Sequence, residues 1–363
     1  MSARERSDSR GTRLEPLPEG CVDVPRPPTR IAVDAVGGDF APAAVLEGVT
    51  TALSADPALV VVLVGPASVV EAFAATHRHV EAIVAEDSIG MDEHGASAVR
   101  SKKESSIVVG CRLVRDGEAD AFFSAGNTGA MMAGGTLVTG RLPGVMRPAI
   151  ATALPTTSDP CVMLDVGANA DCKPEHLVQF ALMGRAYAQA ALGIDQPRVA
   201  LLNIGEEPTK GSLLAQEAHT LMAASVPGFT GNVEGRDIPT GGADVIVTDG
   251  FTGNVALKLM EGLSKSLLGQ VRDAMIATAA TRLASAVLRP RLRGLVERLD
   301  PDELGAAPLL GLKGLILIGH GSSGPRAVAS ALRVAAQAVR QDVTARVAAS
   351  LALADDAPGS SNV

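Results

Sequence analysis

Six short segments combine glycine with side chains that can hold or polarise an anion. They are DAVGGDFAP (34–42), SAGNTGA (124–130), DVGANADCKPEH (165–176), NIGEEPTKG (203–211), DGFTGN (249–254) and GHGSS (319–323). Their backbone N–H groups, amide side chains and isolated cations suit an oxyanion or phosphate held by preorganised donors rather than attacked by a covalent nucleophile. Gly37, Gly38, Asp39, Asn127, Thr128, Gly129, Asn169, Lys173, Asn203, Thr252 and Gly253 are the candidate phosphate or substrate ligands. Lys210, Asn254 and His320 are the candidates for the reacting centre. Lysine is scarce, seven against 25 arginines, so Lys173 and Lys210 in two of these loops stand out. ADAFFSAGNTGA (119–130) and ADVIVTDGFTGN (243–254) align without gaps. That is either a shared strand-to-helix turn or a pair of anion cradles.

Other chemistries lack their motifs. No loop fits GxGxxG after a first strand, GxxxxGK[ST] or GxSxG, which disfavours a dinucleotide, a P-loop nucleotide and a serine-hydrolase elbow. Asp34, Asp39, Asp165, Asp171 and Asp249 have no metal-ligand spacing, so neither metal nor cofactor is expected. Four cysteines without CxxC read as reduced core thiols, and Cys172, the one near a candidate loop, is assigned a structural role. Seven Phe, one Tyr, no Trp and a net charge of −8 argue against a nucleic-acid partner. No apolar run approaches a membrane span, and the N-terminal stretch lacks the apolar core of a secretory signal; a cytoplasmic protein is expected.

Strands must present these loops. IAVDAV (31–36), LVVVLVG (59–65), ADAFFSAG (119–126), PCVMLDVG (160–167), RVALLNIG (198–205), ADVIVTDG (243–250) and GLILIGHG (314–321) are mostly continuous apolar runs, as in strands buried on both faces. Helical stretches follow at 42–55, 174–193 and 252–271. The alternation predicts a doubly wound, mostly parallel α/β sheet with flanking helices, and all six loops are expected at one edge, beyond the strand carboxyl ends. Residues 1–30 read as a disordered arm, 31–354 as one catalytic domain and 355–363 as a tail.

Residues 255–300 carry eight basic and four acidic side chains with apolar residues at helical spacing, and read as a projecting helical pair. Leu283, Val287, Leu288, Arg289, Arg291 and Arg293 are its candidate contacts with an anionic membrane or an acidic carrier protein. A dimer-interface helix with a solvated basic face explains the same pattern.

The ordered set of motifs resembles the bacterial phosphate acyltransferases of phospholipid synthesis, the PlsX family. It comprises IAVDAVGGDFAP, MDEHGASAVRSKKESSI, ADAFFSAGNTGAMMA, RPAIA, DVGANADCKPEHLVQFALMG, LLNIGEEPTKG, GNVEGRDIPTGGADVIVTDGFTGNVALK and APLLGLKGLILIGHGSS, over about residues 31–340. Val36, where methionine would be expected, and LGAAPLLGL are small departures. The resemblance implies attack of inorganic phosphate on the thioester of a long-chain acyl group on acyl carrier protein. Acyl phosphate and free carrier result, the former consumed by a membrane glycerol-3-phosphate acyltransferase. It also implies a homodimer, peripheral membrane contact and a fold similar to phosphate acetyltransferases and isocitrate-type dehydrogenases. Within that reading Lys210 balances phosphate charge, Asn254 hydrogen-bonds phosphate or carbonyl, and His320 polarises the carbonyl or protonates the leaving sulfur. Phosphate near neutral pH needs little deprotonation, and a thiol of pKa ~8.5 leaves readily, so no catalytic nucleophile is required. A phosphate acetyl- or butyryltransferase using acyl-CoA, and a non-catalytic acyl-carrier-binding scaffold, are the alternatives.

Overall fold

The computed structural model describes residues 28–355 except 158, 279, 283, 284, 286, 287, 289–293 and 295–304. The chain opens with β1 (Thr29–Asp34), α1 (Ala43–Ala55), β2 (Leu59–Gly65), α2 (Ala67–Ala74) and β3 (Val80–Val84). Then come α3 (Gly95–Ser101), α4 (Ser106–Arg115), β4 (Ala121–Ser124) and α5 (Thr128–Gly134). β5 (Ala149–Leu154) and β6 (Cys161–Leu164) lead to α6 (Pro174–Ala191), β7 (Val199–Leu202), α7 (Leu213–Ser225), β8 (Phe229–Val233), β9 (Val245–Val247) and the 27-residue α8 (Gly250–Ile276). β10 (Ala307–Leu310), β11 (Leu315–Ile318), α9 (Pro325–Arg340) and α10 (Val343–Asp355) follow. β1 begins two residues before the expected domain boundary at 31.

The strands form one sheet in the order β3-β2-β1-β4-β11-β10-β5-β6-β9-β7-β8. Each of the seven apolar runs contains a strand of this sheet. Their alternate side chains enter two separate cores: Ile31, Val33, Val61 and Leu63 on one face, Ala32, Val62 and Val64 on the other. Burial on both faces is why these runs are continuously apolar.

One expectation is overturned. β3, β2, β1, β4 and β11 run parallel, whereas β10 is antiparallel to β11 and β5, and β5 is antiparallel to β6. β6, β9, β7 and β8 are parallel to one another, so they point opposite to the β1 group. The carboxyl ends of β1, β4 and β11 therefore lie at one edge of the sheet, and those of β6, β7 and β9 at the other. The six loops divide three and three instead of sharing an edge. The cause is covalent: only residues 155–160 join β5 to β6 and 311–314 join β10 to β11, too few for the crossover that a parallel neighbour needs.

Among the described residues no helix is long and apolar enough to cross a membrane. Leu283, Val287, Arg289, Arg291 and Arg293 lie outside the described residues; Leu288 is half-exposed. The body of α8 is described, and its apolar residues Phe251, Val255, Leu259, Leu263, Leu267 and Val271 are all exposed by half or more.

Candidate active site

At the first edge, two buried side chains organise the loops. Ser124 Oγ donates to Asp34 Oδ2 at 2.7 Å, Val36 N donates to Asp34 Oδ1 at 3.1 Å, and Gly126 N donates to Ser124 Oγ at 2.9 Å. Burial pushes the Asp34 carboxyl above its usual range, opposed by these bonds. Gly37 lies over this pair, where a Cβ would come within 2.6 Å of Asp34 Oδ2 and Ser124 Oγ. Asp39 N then donates to Gly321 O at 2.7 Å, which ties the β1 loop to the His320 loop.

The second edge repeats the device. Asp165 is fully buried, and its carboxylate accepts from Ile150 N (3.1 Å), Gly167 N (3.1 Å), Ala168 N (2.9 Å), Asn169 N (2.7 Å) and Asn169 Nδ2 (2.8 Å). Burial pushes this carboxyl up as well, with the amide donors pulling against it. The loop abuts the start of α8: Gly250 N donates to Asn169 O at 2.8 Å, and Asp249 caps the helix through Thr252 N at 2.9 Å. The two aligned segments share one further contact. Asp120 accepts from Arg30 N at 2.7 Å, and Asp244 from Arg198 N at 2.8 Å. Both segments lead from a strand into a helix, but α8 starts at Gly250 and α5 only at Thr128, two aligned positions later, with Asp249 and Asn127 as non-equivalent caps.

Between the halves lies a half-open cleft of about 500 Å³. Asp39, Thr128 and His320 reach it from the first edge, and Asn254 from α8. Ile150, Leu154, Val166, Leu257, Met260 and Ile318 give it an apolar wall. His320 is exposed, and its Nδ1 accepts from Ser322 N at 3.2 Å, with Ser322 Oγ 2.8 Å away. A backbone N–H can only donate, so the neutral ring carries its proton on Nε2, the nitrogen able to donate to a carbonyl or a departing sulfur. Ser323 also lines the cleft; it is buried, and its Oγ has no hydrogen-bond partner among the described residues.

The other candidate residues are placed differently. Asn127 Nδ2 donates to the carbonyls of Gly90 (2.9 Å), Met91 (3.3 Å) and Glu93 (2.8 Å), and its Oδ1 caps α5 through Ala130 N. Asn169 Nδ2 donates to Pro148 O and Asp165 at 2.8 Å each. Both amides are buried with their hydrogens engaged, which fits scaffold roles better than the substrate contacts expected of them. Asn203 Nδ2 donates to Lys210 O at 3.0 Å, and Thr252 Oγ1 donates to Asp249 Oδ2 at 2.8 Å. Lys210 and Lys173 are exposed on the second edge, outside the cleft lining. Gly253 is buried against the Asp165 backbone, Gly38 turns the β1 loop at φ +105°, and Gly129 packs near Gly95. Lys258, Glu261 and Lys265, which lie in no glycine loop and carry no motif, also line the cleft.

A family model described as a fatty acid synthesis protein matches residues 29–346. A phosphate acyltransferase from Desulfitobacterium hafniense (strain Y51) is 48% identical over 314 residues, covering 85% of this chain and 93% of that protein. The chain belongs to the phosphate acyltransferase family. A phosphate acyltransferase from Bacillus licheniformis is 45% identical, covering 87% of this chain and 96% of its own length. Membership makes the chain an acyltransferase, with acyl transfer to phosphate as its reaction class. A phosphotransacetylase from Streptococcus pyogenes superposes with a TM-score of 0.55 at 18% identity, covering 86% of this chain and 94% of its own. A branched-chain phosphotransacylase from Enterococcus faecalis V583 gives 0.54 at 14%, covering 86% and 99%. These two share the mostly parallel α/β fold.

Proposed function

We propose that the enzyme transfers a long-chain acyl group from acyl carrier protein to inorganic phosphate, and that the acyl phosphate feeds phospholipid synthesis through a membrane glycerol-3-phosphate acyltransferase. The observation that carries this reading is the cleft: His320, Thr128 and Asn254 border a space of about 500 Å³ whose wall is apolar. An acyl chain suits the wall and a phosphate suits the polar border. A phosphate oxygen attacks the thioester carbon, the tetrahedral oxyanion collapses, the C–S bond breaks, and the sulfur leaves as thiolate or takes a proton. His320 Nε2–H polarises the carbonyl or supplies that proton. Asn254 hydrogen-bonds phosphate or carbonyl, while Lys210, exposed outside the cleft lining, acts on the phosphate only as a longer-range charge. Thr128 and the first turn of α9, whose Ala327 lines the cleft, complete the anion's surroundings, whereas Asp39, a carboxylate whose backbone N–H is donated to Gly321 O, offers it no donor.

The outward apolar stripe of α8 supports a homodimer, with the 283–293 segment as the peripheral membrane contact. Leu259→Glu with Leu263→Glu then yields monomers in light scattering, and Leu288→Asp weakens flotation with anionic vesicles. Unchanged size and flotation would remove both assignments.

The functional test compares palmitoyl-carrier protein with palmitoyl-CoA as donor while thiol release is followed with and without phosphate. Phosphate-dependent release, faster from the carrier, is expected. Release that ignores phosphate, or a preference for the CoA thioester, contradicts the proposal.

A further inference from the structure

α8 has an unusual distribution of polarity. Phe251, Val255, Leu259, Leu263, Leu267 and Val271 are exposed, while Ala256, Leu257 and Met260 pack against the core. Asn254, Lys258, Glu261 and Lys265 line the cleft. Their spacing of i, i+4, i+7 and i+11 puts these four on one narrow line along the helix. A surface helix ordinarily turns its polar side to solvent. Here the polar line borders a cleft that is otherwise largely apolar.

Charge on that line is organised. Lys258 Nζ lies 2.9 Å from Glu261 Oε2, and the glutamate is the less exposed partner. A half-exposed pair of this kind contributes little to stability. It does fix the ammonium's position, leaving two of its three N–H donors for the cleft. Lys265, about two turns further, has no ion-pair partner among the described residues. Two of the chain's seven lysines thus line the cleft together with two carboxylates, Asp39 and Glu261, and Glu261 is already paired with Lys258.

We infer that Lys258, positioned by Glu261, and Lys265 form a phosphoryl-binding track on the cleft face of α8. The ligand chemistry is a phosphoryl group's oxygens, supplied either by the acceptor phosphate or by the phosphodiester in the donor's thiol-bearing arm. This rests on the proposed function above.

The test uses the full-length protein with Lys258→Met, Lys265→Met and the double variant, and Lys258→Arg to restore charge. Initial rates are measured against inorganic phosphate and against two donors: palmitoyl-carrier protein, and palmitoyl-N-acetylcysteamine, a thioester without phosphate. Each single Met variant should raise one KM about tenfold, the factor carried by one charge-assisted hydrogen bond, and the double variant about a hundredfold, with Lys258→Arg staying closer to the parent than Lys258→Met. A higher KM for phosphate with both donors assigns the track to the acceptor. A higher KM for the carrier donor that vanishes with the truncated thioester assigns it to the phosphodiester. Unchanged KM values for phosphate and both donors in a normally melting double variant overturn the inference. Absence of wild-type turnover would instead fault the proposed function, which keeps the two failures apart.

Discussion

The Cα of Gly253 lies against the carbonyl oxygen of Asp165, so close that a Cβ at position 253 would overlap it. The contact joins the buried carboxylate loop of one strand to the helix that carries Asn254. Alanine normally stabilises a helix relative to glycine by roughly 0.5–1 kcal/mol. Here overlap with backbone decides the sign. Gly253→Ala should destabilise the protein by about 1–3 kcal/mol. It should also lower turnover by shifting Asn254. Thermal melting alongside initial rates checks both; a more stable, fully active variant would show that the start of α8 tolerates displacement.

His320 and Asn254 reach the cleft from opposite edges of the sheet. Each is exposed and neither supports the core. Removing one preorganised donor typically costs about 10²–10³ in kcat. His320→Ala and Asn254→Ala should each lose that much while melting like the parent. Near-parental kcat in either would take that residue out of the reaction.

Cys172 stands three residues beyond Asn169, and burial pushes its thiol up to about 11. Cys111 and Cys161 are pushed up to about 12, also by burial. All three are neutral thiols near pH 7 and poor nucleophiles. Cys172→Ser should retain most activity, and a rapid quench should trap no acylated enzyme. A covalent acyl-Cys172 species would replace direct attack by phosphate with a two-step route.

Burial alone would raise Asp244, but the side-chain and backbone N–H bonds from Arg198 outweigh it and hold the carboxyl below its usual value. A carboxyl with a depressed folded-state pKa adds stability above its unfolded pKa. That contribution fades as pH falls from there through the lowered folded value. Asp244→Asn should therefore lower the melting temperature at pH 7 and narrow the gap to the parent below about pH 4. A gap independent of pH would assign the loss to packing.

Much of this architecture can be read from residues alone, and the exceptions have physical causes. Seven strands declare themselves because burial on both faces makes them continuously apolar. β3 and β8, the partly buried outermost strands, do not, and neither do β5 and β10: AIATAL is small and bracketed by Pro148 and Pro155, and APLL carries Pro308. β5 and β10 are the strands that reverse the sheet, and strand direction has no local signature except connector length. Overlooking them puts all the glycine loops at one edge. In the site, His320, Asn254, Thr128 and Asp39 are legible because polar side chains after strands are conspicuous. Asn127 and Asn169 look similar in sequence, but carbonyl partners that engage their amide hydrogens lie 34 or more and 21 residues away in the chain. Lys258, Glu261 and Lys265 pass for a solvated helix face; only their common line with Asn254 hints otherwise.

The central claim is that phosphate itself becomes acylated. Phosphorus NMR of the purified enzyme with palmitoyl-carrier protein and inorganic phosphate tests it directly. A new acyl phosphate resonance should grow with release of free carrier, disappear on adding hydroxylamine, and form about 10²–10³ times more slowly with His320→Ala. Carrier release without that resonance, and with free fatty acid as the product, would contradict it and mark the enzyme as a thioesterase.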